Sequence, residues 1–166
     1  MPVRKARVSD VPTIHEFVNT CALEGRMLRR SLAETYERLR EFFVATRGGE
    51  IVGAGALHIT WENLAEIRSL AVKPSLRRGG VGSAIARRCL AEARELGITR
   101  VFALTYIPRF FHRFGFSQVA KSSLPHKVWA DCIHCPHFPD CKEVPMVIDL
   151  KPRRRRAKRA AIRRKK

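Results

Sequence analysis

Four groups of residues in this 166-residue chain have types and spacings that could do chemistry. The first is Arg77-Arg-Gly-Gly80-Val-Gly82-Ser83. Glycines there let backbone N–H groups turn towards an anion, the N-terminus of a following helix adds partial positive charge, and Arg77 and Arg78 add whole charges. A phosphate or pyrophosphate is the natural guest, cradled by Arg77, Arg78, Gly79, Gly80, Val81, Gly82 and Ser83. A P-loop is excluded because no Lys-Ser/Thr follows the last glycine. A dinucleotide fingerprint is excluded because Ile85 stands where its third glycine belongs. A glycine-softened turn with its arginines in water is the competing reading.

The second group is Glu66 and Arg68, which alternate onto one face of a strand and read either as a base beside a cation or as a plain ion pair. The third is Arg26, Arg29 and Arg30, whose guanidinium forks suit carboxylates, unless they are simply solvated loop cations. The fourth is Cys132, Cys135 and Cys141, with His134 and His137 between them and His126 upstream. Three thiolates and an imidazole would close a tetrahedral structural zinc site. Reduced loop thiols or a redox-sensitive pair are the alternative. Cys21 and Cys89 fall on apolar helical stripes and read as small core residues.

The elements that must position these groups follow from hydropathy periods and turn residues. Val3 to Val8 reads as a first strand, with Ser9 or Asp10 as N-cap of a helix carrying Val11, Ile14, Phe17, Val18 and Cys21. Ser31-Leu-Ala-Glu34 is a capping box opening a second helix through Tyr36, Leu39 and Phe42. Phe43 to Thr46 and Ile51 to Ile59 are strands around a Gly48-Gly49 turn. Leu64 to Val72 is a strand whose apolar second half suits burial on both faces, stopped by Pro74. A helix from Val81 to Leu96 closes at Gly97. Val101 to Leu104 is a strand, Pro108 to Phe114 a short helix, and Val144 to Leu150 a last strand after a looser stretch. The order predicts an α/β (α+β mixed-sheet) single domain over residues 1–150.

Charge divides the chain unevenly. Lys and Arg total 33 against 15 Asp and Glu, a net of +18. Eleven of the basic residues lie in 151–166, where no acid occurs, leaving a net of +7 for residues 1–150. Such a tail reads as a disordered, solvated appendage with weak, salt-sensitive affinity for polyanions. No apolar run is long enough for a membrane span, and no signal-like segment opens the chain, so a cytoplasmic, reducing setting is expected. The basic body disfavours cationic acceptors and favours anionic ones.

Arg-x-x-Gly-x-Gly after Leu70-Ala-Val72, with Phe110-Phe-His-Arg-Phe-Gly-Phe116 downstream, resembles the GNAT superfamily of N-acetyltransferases. The resemblance implies the GNAT fold and acetyl-CoA as co-substrate. It places the pyrophosphate on the loop, the pantetheine arm along Leu70, Ala71 and Val72 of a bulged strand, and an oxyanion-binding N–H near Ser69 or Leu70. Glu66 would act as base, with Arg68 orienting it or holding a carboxylate. The superfamily's usual acid is a tyrosine where this chain has Phe111. Tyr106 is the substitute, with Thr105 second, against unassisted departure of the thiolate.

Arg29-Arg-Ser-Leu32, Phe42-Phe-Val-Ala45, Glu66-Ile-Arg-Ser-Leu-Ala-Val72 and Lys127-Val-Trp-Ala-Asp-Cys132 further resemble short-form N-acetylglutamate synthases. That implies acetylation of the α-amine of glutamate or glutamine, gripped by Arg30, with Arg29, Arg68 and Lys127 as further contacts. It also implies a homodimer through terminal strands. The competing functions are a protein N-acetyltransferase docking on ribosomes or nucleic acid through the tail, and a non-catalytic nucleic-acid-binding protein that senses acetyl-CoA.

Overall fold

The computed structural model describes residues 1–151, without the side chains of His126, Lys127, Val128 and Asp131. The tail beyond Lys151 lies outside the described residues, as does the acceptor contact expected of the Lys127 side chain.

Seven strands form one mixed sheet in the order β1-β2-β3-β4-β5-β7-β6. They are β1 (Val3–Lys5), β2 (Phe42–Arg47), β3 (Glu50–Trp61), β4 (Leu64–Val72), β5 (Arg100–Thr105), β6 (Ser117–Gln118) and β7 (Val144–Asp149). The helices are α1 (Val11–Leu23), α2 (Leu32–Glu37), α3 (Val81–Glu95), α4 (Pro108–His112) and α5 (His126–Ile133). Only β4 and β5 run parallel; every other neighbouring pair is antiparallel. That parallel pair demands a crossover, and α3 supplies it.

Local chemistry explains most boundaries. Gly48 and Gly49 take φ of +57° and +84°, the paired left-handed conformation of a two-residue hairpin turn between β2 and β3. At α2, Glu34 N–H donates to Ser31 Oγ (3.1 Å) and Ser31 N–H donates to Glu34 Oε2 (3.1 Å), so the capping box forms as expected. The first strand ends three residues earlier than its hydropathy suggests, at Lys5. Asp10 is the reason: its carboxylate takes Arg4 Nη1 at 2.6 Å and Arg7 N–H at 2.7 Å, winding Val8–Asp10 into a 3-10 turn instead of capping α1. The second helix does not reach Phe42. It stops at Glu37, because Leu39–Glu41 form a 3-10 turn and Phe42 pairs with Ala56 in the sheet. The stretch read as loose contains α5.

Two apolar clusters lie on the two faces of the sheet. Under α3, Val81, Ile85, Cys89 and Ala93 pack on Phe43, Val52, Leu57 and Ile67; under α1, Ile14, Val18 and Cys21 pack on Val44, Ala54 and Ala71. Among the described residues no helix is long and apolar enough to cross a membrane.

Candidate active site

Everything at the site begins with how β4 behaves between its neighbours. Against β3 it keeps register as far as Ala56↔Arg68, then resumes at Ala54↔Ala71. Gly55 therefore faces two residues, Ser69 and Leu70, and Ser69 takes a φ of +52°. This is a β-bulge, a device that bends a strand and re-aims its groups. Gly55 is required there: a Cβ on it would lie 2.8 Å from Ile85 Cγ2 and 2.9 Å from Leu70 Cδ1. Against β5, pairing runs only over Leu64↔Arg100, Ala65↔Val101 and Glu66↔Phe102. Beyond Glu66 the two parallel strands part.

The slot they leave opens into one large cavity of about 1480 Å³. At one end lies the glycine loop. Gly80, φ +83°, is the N-cap of α3, and Arg78 also sits at positive φ, +67°. The first N–H groups of α3, on Val81, Gly82 and Ser83, precede the first intrahelical bond, from Ala84 N–H to the Gly80 carbonyl, and so are available to an anion. A Cβ on Gly82 would make ordinary van der Waals contact with Phe110 and Val72, at 3.5 and 3.6 Å. Arg77, Arg78, Gly80, Gly82 and Ser83 all line the cavity. Arg77 is not free there: its Nη2 lies 2.8 Å from Glu24 Oε2 at the end of α1. A cation absent from the sequence reading stands nearby, Arg113, which lines the cavity and whose Nη2 donates to Ser83 Oγ at 3.3 Å.

At the other end Glu66, Arg68 and Arg30 face the same cavity. The Glu66 side chain is 16% exposed and its nearest cation, Arg68 Nη1, is 3.7 Å away. Burial raises its carboxyl from 4.5 to about 7, against the opposing charges of Arg68, His58 and Arg30 and with some help from Glu143. A carboxylate titrating near neutrality, inside a cavity, is equipped for general-base work. Arg30 is held by Asn19, which donates Nδ2–H to its carbonyl (3.0 Å) and accepts its N–H (3.2 Å), while its guanidinium lies 3.3 Å from Glu34 Oε1. Arg29 is exposed and does not line the cavity.

Two further groups had no signal in sequence spacing. Glu41 Oε2 accepts from Arg68 Nη2 at 3.2 Å, and Glu41 Oε1 lies 2.8 Å from His58 Nδ1. Burial opposes ionisation of Glu41, but the His58 contact and the charges of Arg68 and Arg38 outweigh it and hold this carboxyl below the usual range. His58 stands opposite Glu66 in the β3–β4 ladder.

Tyr106, the substitute acid of the sequence reading, is 39% exposed and is not among the residues lining the cavity. Thr105 is buried and lines it, its Oγ1 accepting from Ile107 N–H at 3.0 Å. Phe111 lines the cavity with an edge-on contact to Phe116. Cys132, Cys135 and Cys141 all border the cavity as free thiols. Among the described residues, however, no three His, Cys, Asp or Glu side chains are gathered as a metal site, so the structural zinc expected there is not supported. Cys132 belongs to α5, whereas Cys141 Sγ turns to Glu143 Oε2 at 3.7 Å.

Comparison with known proteins agrees with this geometry. Residues 12–116 match the sequence model of the acetyltransferase (GNAT) family. The chain belongs to that family. It is 43% identical over 131 residues to an amino-acid acetyltransferase of Mycobacterium tuberculosis, covering 76% of this chain and 74% of the relative. Its fold superposes on the crystal structure of Rv2747 from Mycobacterium tuberculosis, solved with CoA, with a TM-score of 0.79 and 35% identity over 91% of this chain and all of that one. It also superposes on the N-acetylglutamate synthase of Neisseria gonorrhoeae bound to CoA and N-acetyl-glutamate, with a TM-score of 0.82 and 26% identity over 90% of this chain but only 35% of that longer protein. As a GNAT acetyltransferase, the protein is an enzyme that uses acetyl-CoA.

Proposed function

We propose that this acetyltransferase acetylates the α-amine of L-glutamate, producing N-acetylglutamate, the opening step of arginine synthesis. The observation that carries the reading is one continuous cavity joining the anion-binding loop to a pocket where Glu66 and two arginines, Arg30 and Arg68, meet. A base that titrates near neutrality, beside fixed guanidinium forks, suits an amine that carries carboxylates. The named relatives, an amino-acid acetyltransferase and an N-acetylglutamate synthase, support it.

In this reading the pyrophosphate rests on the N–H groups of Arg78 to Ser83, with Arg113 beside Ser83. The pantetheine arm lies in the slot where β4 leaves β5, along Leu70 to Val72, and an N–H at the Ser69–Leu70 bulge accepts the developing oxyanion. Arg30 grips a glutamate carboxylate. Glu66, ionised in part at pH 7, takes a proton from the ammonium group, the amine forms the C–N bond, the C–S bond breaks, and the second proton lost by the nitrogen passes through solvent to the thiolate to give CoA. No tyrosine lines the cavity among the described residues, so the thiolate departs without a phenol donor.

Arg30→Ala tests the acceptor assignment. A charge-assisted hydrogen bond contributes about 1.5–3 kcal/mol, so KM for glutamate should rise roughly 10- to 100-fold, with KM for acetyl-CoA unchanged. A variant with unaltered KM for glutamate would remove Arg30 from the acceptor site.

A further inference from the structure

Glu66 presents a physical puzzle. A guanidinium 3.7 Å from a buried carboxylate would ordinarily close to a bidentate pair and lower that carboxylate's proton affinity, which would weaken it as a base. Arg68 does not close. Its other nitrogen, Nη2, lies 3.2 Å from Glu41 Oε2, closer than Nη1 lies to Glu66. Glu41 reaches that position because Leu39–Glu41 form the 3-10 turn leading into β2, two strands away from β4 in the sheet. The same carboxylate holds His58 at 2.8 Å, although His58 stands opposite Glu66 in the ladder. Arg38 Nη1 also lies 3.7 Å from Glu41 Oε1.

We propose that Glu41 is a positioning residue for acetyl transfer: by engaging the Arg68 guanidinium and the His58 ring it keeps both from closing on Glu66, leaving that carboxylate able to take a proton from the acceptor amine. The proposal rests on Glu66 being the base. Among the described residues, the charged and titratable groups around Glu66 are Arg68 on its own strand, His58 on β3, Arg30 ahead of α2, Cys132 on α5 and Glu143 ahead of β7. Of these, Arg68 and His58 are the two in contact with Glu41. Burial is what lifts Glu66 to about 7, and Arg68 is the largest opposing influence. Releasing Arg68 from Glu41 strengthens that opposition.

The test is the pH profile of kcat in the full-length protein, with whichever amino acid the wild-type enzyme acetylates, so a wrong glutamate assignment leaves the test intact. In Glu41→Gln the acid limb should move down by about one pH unit, as an opposite charge brought closer does. Because a weaker base takes up the proton less readily, kcat on the plateau above the acid limb should fall several-fold, with both KM values within about twofold of wild type. Glu41→Asp should recover part of the loss. In an Arg68→Gln background, Glu41→Gln should lower the limb by much less, because only the contact through His58 is left to release. An unmoved acid limb in Glu41→Gln, or an equal downward shift with Arg68 already removed, would overturn the proposal. A Glu66→Gln variant that keeps the acid limb would instead overturn Glu66 as the base.

Discussion

Replacing Glu66 with glutamine should make the protein more stable at alkaline pH while disabling it. The carboxyl has an ordinary value of 4.5 and reaches about 7 when folded, chiefly through burial. A folded value above the unfolded one means the folded state binds the proton more tightly. Stability from this group is thus complete below about 4.5, declines as pH rises through 7, and is fully lost above it. At about 1.4 kcal/mol per unit, ionised Glu66 costs the fold about 3 kcal/mol at pH 8.5 as an upper limit. Glutamine removes that cost but also the attraction to Arg68 at 3.7 Å, so part of the gain is cancelled. Each kcal/mol moves Tm by roughly 2–4 °C in a domain of this size, so Tm should rise by about 4–8 °C at pH 8.5 and hardly change at pH 5. Turnover should fall about 10²-fold or more, with acetyl-CoA affinity retained. Thermal melts of both proteins across pH 5–9 read the first effect, and thiol release from acetyl-CoA reads the second. A variant that melts lower than wild type at pH 8.5 would refute the claim that this carboxylate is buried at a cost to the fold.

Other expectations follow from single contacts. Gly55→Ala places a Cβ 2.8 Å from Ile85 and 2.9 Å from Leu70, so it should cost about 1–3 kcal/mol in denaturant unfolding and raise KM for acetyl-CoA by disturbing the bulge. Tyr106→Phe should leave kcat within about threefold, because the ring lies off the cavity wall and proton donors in use contribute roughly 10²-fold or more; a loss of that size would restore Tyr106 as the acid. Arg113→Ala should weaken acetyl-CoA binding several-fold, and less so at high salt, which equilibrium titration at two ionic strengths would show.

What the sequence revealed and what it hid divide by range. The Ser31–Glu34 box, the Gly48-Gly49 turn, the stop at Pro74 and the glycine after α3 are local devices, and each is where the spacing places it. The glycine loop that opens α3 was legible for the same reason. Glu41 and His58 were not, since Glu41 meets Arg68 and His58 across 27 and 17 positions that only sheet pairing brings together. Arg113 meets Ser83 across 30 residues and gave no signal either. The second helix was overextended because Leu39 and Phe42 continue its apolar period, yet Phe42 packs better in the sheet, 4% exposed. The helix α5 reads as loose because Pro125 precedes it and histidines, prolines and cysteines crowd the residues directly after it.

The central claim is the acceptor. Purified enzyme supplied with acetyl-CoA and one amine at a time should release CoA with L-glutamate, forming one N-acetylglutamate per CoA by mass spectrometry, and far less with polyamines or peptide amines. CoA release that is indifferent to free amino acids, or that requires a peptide amine, would contradict the account.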